Sequence, residues 1–109
     1  MNLKVDLSKD GLEMFFFDYQ IEALRVLWDT EGDLSSRDVW EAVNNRVGKI
    51  SRASIINFLN DMIDYGILLG YETTGKGGMR TIYSPAMDEV KLKQLLHKQV
   101  TTKIDELMV

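Results

Sequence analysis

The chain has 109 residues, and with 45% hydrophobic side chains, 28% charged ones and a single proline it holds the apolar content of one folded domain, too little chain for two, and none of the polar, proline-rich bias of disorder. It contains no cysteine, which excludes a disulfide framework, a thiol nucleophile and any thiolate-bound zinc or iron–sulfur centre. A formal net charge of −4, most of its acidic excess ahead of Ile50, excludes a protein that coats nucleic acid through charge alone and confines any meeting with an anionic partner to a local basic face.

At the start of the chain Leu3-Lys4-Val5-Asp6-Leu7 alternates apolar with polar, Ser8-Lys9-Asp10-Gly11 follows, and Leu12-Glu13-Met14-Phe15-Phe16-Phe17 is apolar again. This pattern predicts a β-hairpin closed at Asp10-Gly11. Asp18 is then the expected N-cap of helix 1, whose Ile21, Leu24, Leu27 and Trp28 recur at intervals of three and four until Gly32 stops it. Ser35 with Asp38 three residues later forms a capping box that opens helix 2, with Leu34 and Val39 as the accompanying hydrophobic staple. The stripe of helix 2 is Val39, Ala42, Val43 and Val47, and Gly48 punctuates its end. After the tight connection Gly48-Lys49-Ile50, Ser51 caps helix 3, which carries Ile55, Leu59, Met62 and Ile63 on one face and stops at Gly66.

From Ile67 to Tyr71 the pattern is extended, residues 72–78 are polar and glycine-rich, and Met79-Arg80-Thr81-Ile82-Tyr83-Ser84 is extended again, so a second hairpin with a thin tip is expected, closed by Pro85. Asp88 or a neighbour opens a last helix with Leu92, Leu95, Leu96, Val100, Ile104 and Leu107 near one stripe. No apolar run has signal-peptide or membrane-spanning length, and the expectation is a soluble cytoplasmic protein with no membrane partner.

Two helices joined by a short turn and followed at once by a hairpin with a basic tip are the element order of a winged helix-turn-helix. The expected class is therefore mainly α with a small β-sheet, organised as an N-terminal β-hairpin extension (1–17), a winged helix-turn-helix (18–85) and a C-terminal dimerisation helix (86–109). The same scaffold can bind DNA through the exposed face of helix 3 or serve purely as a protein-interaction module.

The residues also carry a family resemblance. Ile21-Glu22-Ala23-Leu24-Arg25-Val26-Leu27-Trp28 resembles the helix 1 opening of the penicillinase repressor family, which includes methicillin-resistance and copper-transport regulators. Leu34-Ser35-Ser36-Arg37-Asp38-Val39 is similar to that family's lead into helix 2, residues 51–59 to its recognition segment, and Tyr83-Ser84-Pro85 to the "Y-x-P" that ends its wing. The resemblance runs from about Phe17 into the final helix and leaves the N-terminal segment outside. It implies a dimeric transcriptional repressor whose winged-helix head binds a pseudo-palindromic operator and whose C-terminal helices hold two chains together. The sequence departs from the family at Ser54 and Asn57, which stand for threonines, at Ile56, and at Asp61 and Asp64, whose carboxylates repel phosphate. It also lacks the cysteine pairs of copper-responsive members, and the isolated His97 does not replace them.

On this reading the expected partners are double-stranded DNA and a second copy of the chain. Asn57 matches an adenine edge through its amide, Ser54 is a second candidate for base contact, and Arg52 has the reach and fixed charge for phosphate or guanine. Lys76 and Arg80 flank the wing tip and suit phosphate or minor groove, while Arg37 and Lys49 lie near helix starts where free amides already favour phosphate. Leu92, Leu95, Leu96, Val100, Ile104 and Leu107 form the expected dimer interface, a stripe longer than one small head can cover.

Trp28, Trp40 and Phe15-Phe16-Phe17 read as core rather than as a ligand box, and no small-molecule pocket is inferred. The carboxylates lack metal-ligand spacing, and no Ser–His–acid set, phosphate-cradling glycine loop or acid pair is present. Neither an enzyme nor a metal or other cofactor is expected. The rival reading, an interaction module without specific DNA binding, draws on the acidic balance and the sparse positive charge of helix 3. The two differ in whether Asp61, Asp64 and Glu72 cancel the charge around Arg52, Lys76 and Arg80.

Overall fold

The computed structural model describes residues 4–75 and 77–109. A 3-10 turn (Gly11–Met14) is followed by α1 (Asp18–Asp29), β1 (Leu34–Ser35), α2 (Ser36–Val47), α3 (Arg52–Asp64), β2 (Leu68–Gly75), β3 (Gly78–Pro85) and α4 (Glu89–Leu107). The chain is mainly α with one small antiparallel sheet, in the helix–helix–wing order expected.

Side chains satisfy the free amides that open the helices. Ser35 Oγ accepts from the Asp38 N–H at 3.2 Å while Asp38 Oδ2 accepts from the Ser35 N–H at 3.0 Å, completing the capping box of α2. Ser51 Oγ accepts from the Ser54 N–H at 3.0 Å at the start of α3, and Asp88 Oδ1 from the Lys91 N–H at 2.8 Å at the start of α4. Helix α1 begins differently from expectation. Asp18 is its first helical residue rather than its cap; Phe17 holds the extended cap backbone and donates its N–H to Gln20 Oε1 at 2.8 Å. A carboxylate one position inside the helix still faces the positive end of the dipole.

The sheet order is β1-β3-β2, with Leu34 opposite Tyr83, Ser35 opposite Ile82, and the β2–β3 register running from Leu68 opposite Pro85 to Gly75 opposite Gly78. Strand β1 is not legible in the sequence, because two residues cannot show a period and these two also lead into α2.

Leu24, Leu27, Val39, Val43, Ile55, Leu59, Ile67, Leu68, Leu92 and Leu96 are all but fully buried and weld the three head helices, the sheet and the start of α4 into one core. Both tryptophans pack against it. The Trp28 indole donates to the Met87 carbonyl at 2.9 Å, tying α1 to the approach of α4, and Trp40 donates to the Ile50 carbonyl at 2.6 Å, fixing the α2–α3 turn.

The expected N-terminal hairpin does not form among the described residues, and Leu3 lies outside them. Asp6 accepts from the N–H and hydroxyl of Ser8 at 2.9 and 2.6 Å, closing a turn, and Gly11 (φ +59°) starts the 3-10 helix. The Asp6 carboxyl is held below its ordinary range, chiefly by the Ser8 hydroxyl. A helical turn wins because Leu12 and Phe16, four apart, must both reach the core, whereas a free two-stranded ribbon would have no layer to cover its apolar face. Phe16 meets Phe58 of α3 edge-on, with ring centroids 5.9 Å apart.

The dimer stripe needs a second correction. Leu92 and Leu96 are buried in their own head, and Leu95 is half-buried against it. The last nine residues of the chain are exposed throughout. The molecule measures 55 × 27 × 23 Å with a radius of gyration of 15.1 Å, larger than the ~13 Å of a compact domain near this size. The difference reflects α4, which rises about 1.5 Å per residue away from the head.

Candidate nucleic-acid interface

Ile55, Phe58, Leu59 and Met62 commit one side of α3 to the core. At about 100° per residue the opposite side carries Ala53, Asn57, Asn60 and Asp64, all exposed, with Arg52 exposed in the first turn and Asp61 on the flank. Ser54 is drawn off this face: half-buried, it has its hydroxyl 2.8 Å from Ser51 Oγ, within the cap that starts the helix.

Asn60 was not singled out from the sequence, although its spacing of three from Asn57 places the two amides on the same side. The buried Tyr83 of β3 donates its hydroxyl to Asn60 Oδ1 at 3.1 Å, linking α3 to the central strand of the sheet. Burial pushes the Tyr83 phenol above its ordinary range.

In the wing, directly paired residues share a face, so Arg80 lies beside Thr73, and its guanidinium lies along Gly75: a Cβ there would stand 3.4 Å from Arg80 Nε. Gly77 (φ +101°) and Gly78 (φ +105°) adopt backbone that other residues rarely enter, which explains the glycines at the tip. Lys76 lies outside the described residues. The wing root is tied down by a hydrogen bond from the Tyr71 hydroxyl to the Asp33 carboxylate, which raises the Tyr71 phenol above its usual range.

The remaining candidates lie on α2 and in the turn that follows it. Lys49 sits exposed in the α2–α3 turn with φ +55°. Arg37 is exposed on α2 but pairs with Glu41 at 3.1 Å, which occupies part of its charge. Lys49, Arg52 and Arg80 make no ion pair among the described residues, and neither do Asp61, Asp64 and Glu72; Glu72, opposite Thr81, points to the other face of the wing from Arg80. No group of three or more His, Asp or Glu side chains among the described residues is placed to hold a metal. No described helix is long and apolar enough to cross a membrane.

A helix-turn-helix whose second helix keeps one side clear of the core, followed at once by a glycine-tipped wing, is a winged helix-turn-helix, a scaffold on which many DNA-binding regulators of transcription are built. The sequence model of the family described as penicillinase repressor matches residues 18–107, and the chain belongs to that family. Among solved structures, a protein described as a possible transcriptional regulator from Methanosarcina mazei Go1 superposes with a TM-score of 0.66 at 11% identity, over 84% of this chain and 73% of that one. The ferric uptake regulator Fur of Helicobacter pylori gives 0.58 at 22% identity over 67% of this chain, which spans about half of Fur (47%). PadR of Bacillus subtilis, solved in complex with operator DNA, gives 0.50 at 23% identity over 75% of this chain and 45% of that one. These likenesses are likenesses of fold. No curated protein matches the sequence.

Proposed function

We propose that the protein is a homodimeric, sequence-specific repressor that binds a pseudo-palindromic operator, with α3 in the major groove and the wing along the phosphate backbone. The observation that carries this reading is the outward side of α3, where Asn57 stands exposed and owes nothing to the core, with Arg52 exposed in the first turn. The family's description as a repressor and a structural neighbour solved on its operator support it. The second copy is argued from α4, where Ile104 is 56% and Leu107 79% exposed on an apolar stripe that continues beyond Leu92 and Leu96. The protein acts by binding rather than catalysis, and in the cytoplasm.

Selection of bound sequences from random duplexes tests the reading, which requires enrichment of a two-fold symmetric site. Asn57→Ala is expected to relax one position in each half-site, at about 1–3 kcal/mol per base pair. Compared on operator and scrambled duplex at one salt concentration, an unchanged preference removes Asn57 from readout. Arg80→Ala is expected to flatten the plot of log K against log salt by about 0.9 per head, the signature of one lost phosphate contact. A parental slope takes Arg80 off the backbone.

The carboxylates of Asp61, Asp64 and Glu72, which make no ion pair among the described residues, favour a second reading, in which the head binds another protein. Failure of the parent protein to enrich any duplex sequence decides for it.

A further inference from the structure

Asn60 lies at the junction of the two DNA-facing parts of the head. It is exposed on the outer side of α3, three residues from Asn57, yet its carbonyl oxygen turns inward to accept the hydroxyl of Tyr83, a residue 2% exposed at the centre of the sheet. A buried phenol hydroxyl needs a partner, and here the partner is the amide oxygen. An asparagine amide has one acceptor end and one donor end. The oxygen is engaged by Tyr83, and among the described residues no hydrogen bond engages the Nδ2 group of this exposed side chain. No other side chain–side chain hydrogen bond joins α3 to the sheet among the described residues.

We propose that Asn60 is a DNA-binding residue that presents a fixed N–H donor to an acceptor oxygen or nitrogen of the duplex, and that Tyr83 is the positioning residue that sets the amide's orientation. The inference rests on the reading of α3 as the groove-facing helix. It gives Asn60 a chemistry different from that of Asn57. The free Asn57 amide can both donate and accept and so pair bidentately with adenine, whereas Asn60, its oxygen turned to Tyr83, offers chiefly its N–H donors and suits a guanine O6 or N7, a thymine O4 or a phosphate oxygen. Such an amide would lose little rotational freedom on binding, because the bond to Tyr83 has already ordered it.

The test compares Asn60→Ala and Tyr83→Phe with the parent on the duplex that the parent itself selects, together with thermal melting of each protein. Asn60→Ala removes the outward donor and is expected to weaken binding by about tenfold, the upper range for one hydrogen bond. Tyr83→Phe removes the orienting hydroxyl but leaves the amide, and is expected to weaken binding only about two- to threefold. The double variant should bind no worse than Asn60→Ala alone, because the hydroxyl acts through the amide. A loss confined to one base position identifies a base edge as the acceptor, and an equal loss on all duplexes identifies a phosphate.

Parental affinity in Asn60→Ala overturns the proposal, as does an equal loss in Asn60→Ala and Tyr83→Phe, which would mean that the bond serves only to brace α3 against the sheet. Failure of the parent to prefer any duplex is a different result and counts against the repressor reading itself. If the parent prefers a site and Asn57→Ala relaxes it while Asn60→Ala changes nothing, only the assignment of Asn60 falls.

Discussion

Replacing Ile104 and Leu107 together with glutamate is expected to convert the protein to a monomer at micromolar concentration and to lower operator affinity by roughly 10²- to 10⁴-fold, the range over which joining two binding modules raises avidity. In the proposed homodimer the effect is large because each head offers few cations, so that binding would depend on two heads engaging one operator at once. The substituted positions lie outside the head: Ile104 and Leu107 are exposed in the single chain, and no residue after Val100 belongs to its core. The variant should therefore keep the parental melting curve when compared as folded heads. Solution mass and operator affinity are measured on the same preparation. A parental chain that is already monomeric at that concentration, or a variant that remains dimeric, removes α4 from the interface.

Phe16→Ala should cost about 3–5 kcal/mol, the usual range for truncating a buried phenylalanine. In a domain of this size that lowers the melting temperature by more than ~10 °C. Phe16 precedes the region matched by the family, which begins at residue 18, yet it is 7% exposed and meets Phe58 edge-on. Phe58 also takes the Tyr19 ring at 6.5 Å, so the truncation removes one of two rings that meet Phe58 edge-on. The contrasting variant is Phe17→Ala, whose side chain is 71% exposed and whose removal should shift the midpoint little. Equal, small shifts in both would show the N-terminal segment to be an appendage with no share in the core.

The parts of the site differ in how far they could be read beforehand. The outer position of Asn57 was legible because the apolar spacing of Ile55, Leu59 and Met62 fixes which side of α3 is left outside; Arg52, three residues before Ile55, is exposed because it stands in the first turn. Arg80 was legible because glycine clusters and extended runs mark a hairpin. Ser54 is half-buried, with its hydroxyl against that of the cap residue Ser51, a placement that its spacing along α3 does not show. Asn60 was missed for a related reason: its role depends on Tyr83, twenty-three residues away. The charge balance of the interface had the same character, for the signs of Asp61, Asp64 and Glu72 are written in the sequence while their lack of partners is not.

By itself the sequence determined the elements whose causes are local. Capping side chains at Ser35, Ser51 and Asp88, helical apolar stripes, and glycines beyond α2 and α3 all act within a few residues of where they stand, and together they specify the helix–helix–wing order and its family. Tertiary structure alone decided the rest. It turned residues 4–17 from an expected hairpin into a turn and a 3-10 helix, because the burial of Leu12 and Phe16 outweighs a local alternation that had no sheet to join. It created β1 from two residues by giving them β3 as a partner. It also divided the long stripe of α4, taking Leu92 and Leu96 into the head and leaving Ile104 and Leu107 outside, since a helix that outruns its own core cannot bury its whole apolar side within one chain.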